Sequence, residues 1–166
     1  MKIYVILPIL KSVFFEEATK KEYDAAARQG TEIFVKSIRK GPESIESEYD
    51  SEMAAPWVLE EVVNAEKQGY DAAITACMCD TALYGARQIA TIPIIGPCQA
   101  SLAIASTISD RFSIVTIGPE GQKGGVALLE KNVKKYGFES KLVSVRSIDV
   151  AVLEIDLLLH LQGGLV

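Results

Sequence analysis

Short apolar runs bounded by turn-forming residues alternate along this chain with longer stretches in which apolar positions recur at helical spacing. The runs predict strands near 2–8, 31–38, 71–77, 92–96, 111–117 and 140–146, and the periodic stretches predict helices near 14–29, 53–68, 80–90, 98–109 and 122–136. Regular exchange of strand and helix is the pattern of a parallel sheet covered by helices, so the fold class is α/β. Gly30, Gly69 and Gly137 each stand where a helix should stop, a position that favours a residue tolerant of left-handed backbone.

Lys2–Arg39 and Arg111–Arg146 share the order strand, polar helix, Gly, strand, as in Gly30-Thr-Glu-Ile-Phe-Val and Gly137-Phe-Glu-Ser-Lys-Leu-Val. This weak repeat predicts two Rossmann-like parallel-sheet lobes with a pseudo-two-fold relation, 1–97 and 98–166. In the first lobe a long helix and a third strand follow the second strand. The second has no such strand and reads as incomplete, and the Leu-rich Ala151–Val166 reads as an end cut short.

With 49% hydrophobic residues in 166, the chain can bury one good core or two small lobes sharing an interface. Charged residues make up 23%, the net charge is -5, and Lys and Arg are scattered, which argues against a nucleic-acid partner and for a small-molecule one. No stretch approaches the roughly 20 apolar residues of a membrane span. The chain enters a strand at Lys2-Ile-Tyr-Val-Ile without a signal-peptide pattern, so a cytoplasmic protein is expected. Three cysteines and one histidine suit neither a disulfide framework nor a zinc site; free thiols and no metal are expected.

The chemistry concentrates in Asp71-Ala-Ala-Ile-Thr-Ala-Cys77-Met-Cys79-Asp80-Thr81, where a cysteine ends an apolar strand and a predicted helix follows at once. Backbone N–H groups and a helix dipole at such a junction favour a thiolate, making Cys77 a candidate base or nucleophile. A buried core thiol is the alternative. Asp80 is placed to cap the helix that follows, and the N–H groups of Met78, Cys79 and Asp80 to hold a developing oxyanion. Cys79 gives a C-x-C spacing, which is not the C-x-x-C of redox or zinc motifs. Cys98 reads as core packing with a second-acid role as the alternative, and Thr116 as a ligand contact or a strand residue. Ser44, Ile45 and Glu46 lie in a long polar loop of the kind that carries function. Trp57 reads as core and His160 as structural. Gly118-Pro-Glu-Gly-Gln-Lys-Gly-Gly125 fits no phosphate-loop pattern.

Gly41-Pro-Glu-Ser-Ile-Glu-Ser-Glu-Tyr-Asp50, Ala55-Pro56 read as opening a helix, Gly69–Asp80, Ile92–Pro97, Arg111–Ile117 and Ser144–Asp149 together resemble the Asp/Glu/hydantoin racemase superfamily, in its hydantoin racemase branch. The resemblance implies two α/β lobes around a cleft and a cofactor-independent racemase acting on the carbon beside a carbonyl in hydantoins or related amino-acid derivatives. In that family two cysteines work on opposite faces of the carbon, and Cys77 matches the first. The second lies in a Gly-Cys-x-Gly-Met turn, which this sequence does not contain, and Cys79 replaces the usual Gly. Leu7-Pro8-Ile9 stands where many relatives have Asn-Pro-Asn. Carried over by position, Pro8, Ile9, Ile45, Met78, Cys79, Asp80 and Thr116 are the expected substrate contacts. A non-catalytic ligand-binding or vestigial protein lacking the second cysteine is the alternative, and a one-base decarboxylase of the superfamily, with its cysteine in the other lobe, is a third. Apolar surface left by missing strands predicts a homo-oligomer.

Overall fold

The computed structural model describes residues 1–118, 124–150 and 154. In chain order the elements are β1 (Lys2–Leu7), α1 (Val13–Ala26), β2 (Glu32–Ser37), α2 (Glu48–Lys67), β3 (Ala72–Thr75), α3 (Leu83–Ile89), β4 (Ile94–Ile95), α4 (Pro97–Ile108), β5 (Phe112–Thr116), α5 (Gly124–Lys135) and β6 (Leu142–Ser147). Four parallel strands form one sheet in the order β2-β1-β3-β4, and β5 and β6 pair in parallel in a second. Lys2 faces Glu32 at one end of β1 and Leu7 faces Ser37 at the other, while Ile3 to Ile6 pair with Ala72 to Thr75.

The α/β class with parallel sheets is therefore as the alternation predicts. Tyr4, Val5 and Ile6 of the central strand β1 are fully buried, as expected for a strand covered on both faces. Ala54, Val58, Val62 and Ala65 make one buried stripe of α2 and pack with Tyr4, Ile6, Ile38, Ala73, Leu83 and Ile94. A second cluster joins Cys98 and Leu102 of α4 to Leu129 and Val133 of α5, over Phe112, Ile114, Leu142 and Val145. Tyr136, just beyond α5, packs against both clusters and fastens them together.

Several boundaries differ from the sequence expectation for identifiable reasons. α2 starts at Glu48 rather than 53, because Ser47 accepts the Asp50 N–H and Asp50 in turn accepts from the Ser47 hydroxyl and the Glu46 N–H. Pro56, expected to open that helix, lies inside it. α3 starts at Leu83 rather than 80, because Asp80 and Ala82 hold left-handed φ values of 52° and 59° that a helix cannot pass through. Gly30, Gly69 and Gly137 do take positive φ. Trp57 packs only partly against the core, with the Arg39 guanidinium 4.7 Å and the Lys40 ammonium 5.4 Å from its ring, so its outer face carries cations. His160 and residues 119–123 of the glycine-rich loop lie outside the described residues. Among the described residues no helix is long and apolar enough to cross a membrane.

Gly96, just before α4, lies close against the segment that carries Asp80 and Leu83. A Cβ there would stand 2.5 Å from the Leu83 side chain and 2.6 Å from the Asp80 carboxyl carbon. Leu83 is 1% exposed and Asp80 is fixed by hydrogen bonds, so neither has room to withdraw. Gly96→Ala is expected to cost about 1–3 kcal/mol by overpacking; urea denaturation of the two proteins checks this, and an unchanged midpoint would refute it.

Candidate active site

In the four-stranded sheet the chain runs from β1 outward to β2 and then back across to β3, so the strand order reverses between β1 and β3. The crevice beyond the carboxyl ends of strands at such a reversal is where α/β sheets receive ligands. An apolar cavity of about 320 Å³ opens there. Leu7 to Ile9 at the end of β1, Ala76 to Cys79 after β3, and Thr116 to Gly118 at the end of β5 line it. Phe15 and Thr19 of α1, Ile45 and Glu46 of the polar loop, and Gly125 and Leu129 of α5 complete the wall.

Tight turns project Cys77 into this space. The Cys77 N–H bonds the Thr75 carbonyl at 2.7 Å, the Asp80 N–H bonds the Cys77 carbonyl at 2.9 Å, and the Leu83 N–H bonds the Asp80 carbonyl at 3.1 Å. The strand thus ends at Thr75 and the helix begins six residues beyond the cysteine, so no helix N-terminus adjoins the thiol. Its acidity has another source. The Cys79 thiol hydrogen-bonds the Cys77 sulfur, and the Cys79 backbone N–H donates to it at 3.5 Å. Together they hold the Cys77 thiol below its ordinary range, against the opposing pull of burial and of the Asp80 charge. Cys79 moves the opposite way, raised first by that hydrogen bond to Cys77 and then by burial, and remains the protonated partner.

Asp80 does not cap the helix that follows it. Its carboxylate accepts the Cys98 and Gln99 N–H groups, each at 2.9 Å, and so caps α4, eighteen residues downstream. The Tyr136 hydroxyl donates to the same carboxylate at 2.7 Å; burial, aided by that bond, raises its pKa and keeps it a neutral donor. Asp80 is 5% exposed and stands behind the turn, away from the cavity lining. The expected trio of oxyanion donors is also reduced, because the Cys79 N–H points at sulfur and the Asp80 N–H closes the turn.

The structure brings Pro8, Ile9, Ile45, Cys77, Met78, Cys79 and Thr116 to one cavity. Cys98 is fully buried outside that lining, and burial with the Asp80 charge pushes its thiol up to about 12, partly offset by a hydrogen bond with Asn132. Ser44 acts through Glu46, donating to its carboxylate at 2.8 Å. Sequence reasoning missed Phe15, Thr19, Leu129, Asn132 and Tyr136. The Asn132 amide donates to the Cys79 carbonyl at 2.9 Å and reaches that of Met78 at 3.5 Å, holding the turn from behind. The i, i+4 spacing of Asn132 and Tyr136 near the end of a predicted helix is the signal that marked them. Among the described residues no group of three or more His, Cys, Asp or Glu side chains could hold a metal ion.

A parallel α/β sheet with a cavity at its switch point and Cys77 in the cavity wall defines the class of α/β cleft proteins. Residues 11–163 match the sequence profile described as Asp/Glu/Hydantoin racemase, and the chain belongs to that family. It is 35% identical over 159 residues to the hydantoin racemase of Pseudomonas sp. (strain NS671), covering 94% of this chain and 61% of that one. Over 115 residues it is 42% identical to the hydantoin racemase of Rhizobium meliloti, with coverages of 69% and 46%. Allantoin racemase from Klebsiella pneumoniae superposes with a TM-score of 0.86 at 33% identity, over 94% of this chain and 62% of the other. The chain thus spans about three fifths of the length of the first of these relatives.

If the Cys79 thiol is the main stabiliser of the Cys77 thiolate, removing it raises the Cys77 pKa. Site-resolved iodoacetamide labelling across pH is expected to move the Cys77 midpoint upward in Cys79→Ala. An unmoved midpoint would assign the acidity to the backbone donor instead.

Proposed function

We propose that the protein moves the proton on the carbon beside a carbonyl in a hydantoin or a related amino-acid derivative, with Cys77 as base and without a cofactor. The observation that carries this is the Cys77 sulfur, held toward thiolate by Cys79, at the floor of an apolar cavity at the sheet's switch point. Relatives named hydantoin racemase and allantoin racemase support the substrate class. An apolar wall excludes water and strengthens each polar contact with the developing anion. Pro8, Ile9, Ile45, Met78 and Thr116 shape the space around the ring, and Glu46 and Thr19 bring polar side chains to it. Asp80 serves the reaction indirectly, by fixing the turn. In this reading residues 1–97 and 98–166 act as two lobes that close on the substrate.

A second reading is favoured by the placement of the thiols. Racemisation by two thiols needs one on each face of the carbon. Cys79 shares a turn with Cys77, and Cys98 is buried away from the lining. One-face exchange with retained configuration, or ligand binding without exchange, follows where no second donor reaches the far face. Self-association belongs to either reading, supported by Ile104 and Ile108 of α4, which are 62% and 79% exposed.

Proton NMR in D₂O with one enantiomer of a 5-substituted hydantoin separates these readings. Exchange together with racemisation, both lost in Cys77→Ser, is expected of the racemase. Exchange with retention would establish the one-face reading, and no exchange above the uncatalysed rate from folded protein would leave ligand binding alone. Sedimentation is expected to show a self-associating species; a monodisperse monomer would overturn that part.

A further inference from the structure

We propose that the Cys77-Met78-Cys79 turn is a reversible oxidation site, at which a hydroperoxide converts the two thiols into an intramolecular disulfide. The sequence spacing alone does not suggest this, since C-x-C is not a redox motif. The fold changes the case. The turn places the Cys79 amide 3.5 Å from the Cys77 sulfur and brings both cysteines, two residues apart, to the wall of one cavity. Both residues line the open cavity and both are partly exposed, so a small oxidant reaches them. Cys98 is fully buried and lies outside the cavity, which leaves Cys79 as the resolving thiol.

The chemistry balances without any other reagent. The Cys77 thiolate attacks the peroxide O–O bond, takes one oxygen to become a sulfenic acid, and releases hydroxide or alkoxide. The Cys79 sulfur then attacks the Cys77 sulfur, giving up its proton; an S–S bond forms, the S–O bond breaks, and water leaves. Two thiols lose two electrons and the hydroperoxide gains them. A ring spanning a single intervening residue is small, and strained disulfides are the ones cellular thiols readily reopen. None of this requires that Cys77 act as a proton-transfer base. Where it does, the same step removes the base and silences exchange until a thiol reductant restores it.

The test treats the whole protein with hydrogen peroxide, blocks remaining thiols with N-ethylmaleimide under denaturing conditions, and reads the digest by mass spectrometry. The peptide holding Cys77 and Cys79 is expected to be lighter by two hydrogens and to lose both labels, with Cys98 still labelled and both labels regained after dithiothreitol. Cys79→Ser is expected instead to accumulate sulfenic acid at Cys77, captured by dimedone, and then sulfinic acid. Sulfinic Cys77 beside a still-labelled Cys79 in the unmodified sequence would overturn the proposal, as would a disulfide to Cys98 or between chains. These readouts are independent of catalysis, so failure of the racemase reading and failure of this one remain distinguishable.

Discussion

One buried carboxylate organises the region on which everything else depends. Asp80 accepts two backbone N–H groups from the start of α4 and the hydroxyl of Tyr136, and it sits in the loop that carries Cys77. A carboxylate that is 5% exposed must find donors or be expelled toward water, and these three supply them. The requirement works in both directions. The first turn of α4 has N–H groups with no partner inside the helix, and the residue that satisfies them comes from a different segment. Gly96 makes the approach possible by presenting no side chain where Leu83 and the Asp80 carboxyl converge.

That arrangement separates rigidity from acidity. The turn is fixed by Asp80, Asn132 and the bond between Ser51 and Thr81, none of which donates to the reactive sulfur. The thiolate is favoured by its immediate neighbour Cys79 alone, through one thiol and one amide, while the Asp80 charge pulls against it. A cysteine two residues from Cys77 thus stands where other thiol sites use a helix terminus. It also leaves a second sulfur beside the first, and that is the origin of the oxidative chemistry inferred for this turn.

Much of the fold was legible because it follows from local pattern. Apolar runs such as Tyr4-Val-Ile place central strands, and Gly69 and Gly137 mark stops through backbone geometry that belongs to glycine itself, whereas α1 ends at Ala26 and Gly30 serves the turn that follows. The position of Cys77 at the end of a strand was legible for the same reason, and the family motif agreed. What failed was everything decided at long range. Local pattern makes Asp80 a cap of the helix that follows it, because no local feature shows that left-handed backbone at Asp80 and Ala82 delays α3 and frees the carboxylate for α4. Pro56 looked like a helix start because proline favours that position, yet Ser47 and Asp50 had already begun the helix. Leu129, Asn132 and Tyr136 carried only a helical spacing, and the hydrogen-bond partners of Asn132 and Tyr136 lie 53 and 56 residues earlier in the chain.

Those last three residues lie on α5 and the turn just beyond it, and their tasks differ. Leu129 forms part of the cavity wall, Asn132 grips the carbonyls of the cysteine turn, and Tyr136 grips Asp80 behind it. Spaced at i, i+3 and i+7, they lie along one side of α5 and the turn that closes it. The residue that walls the cavity and the residues that hold the cysteine turn are therefore positioned by the same segment. The placement of α5 thus sets the shape of the cavity and the seat of the sulfur together.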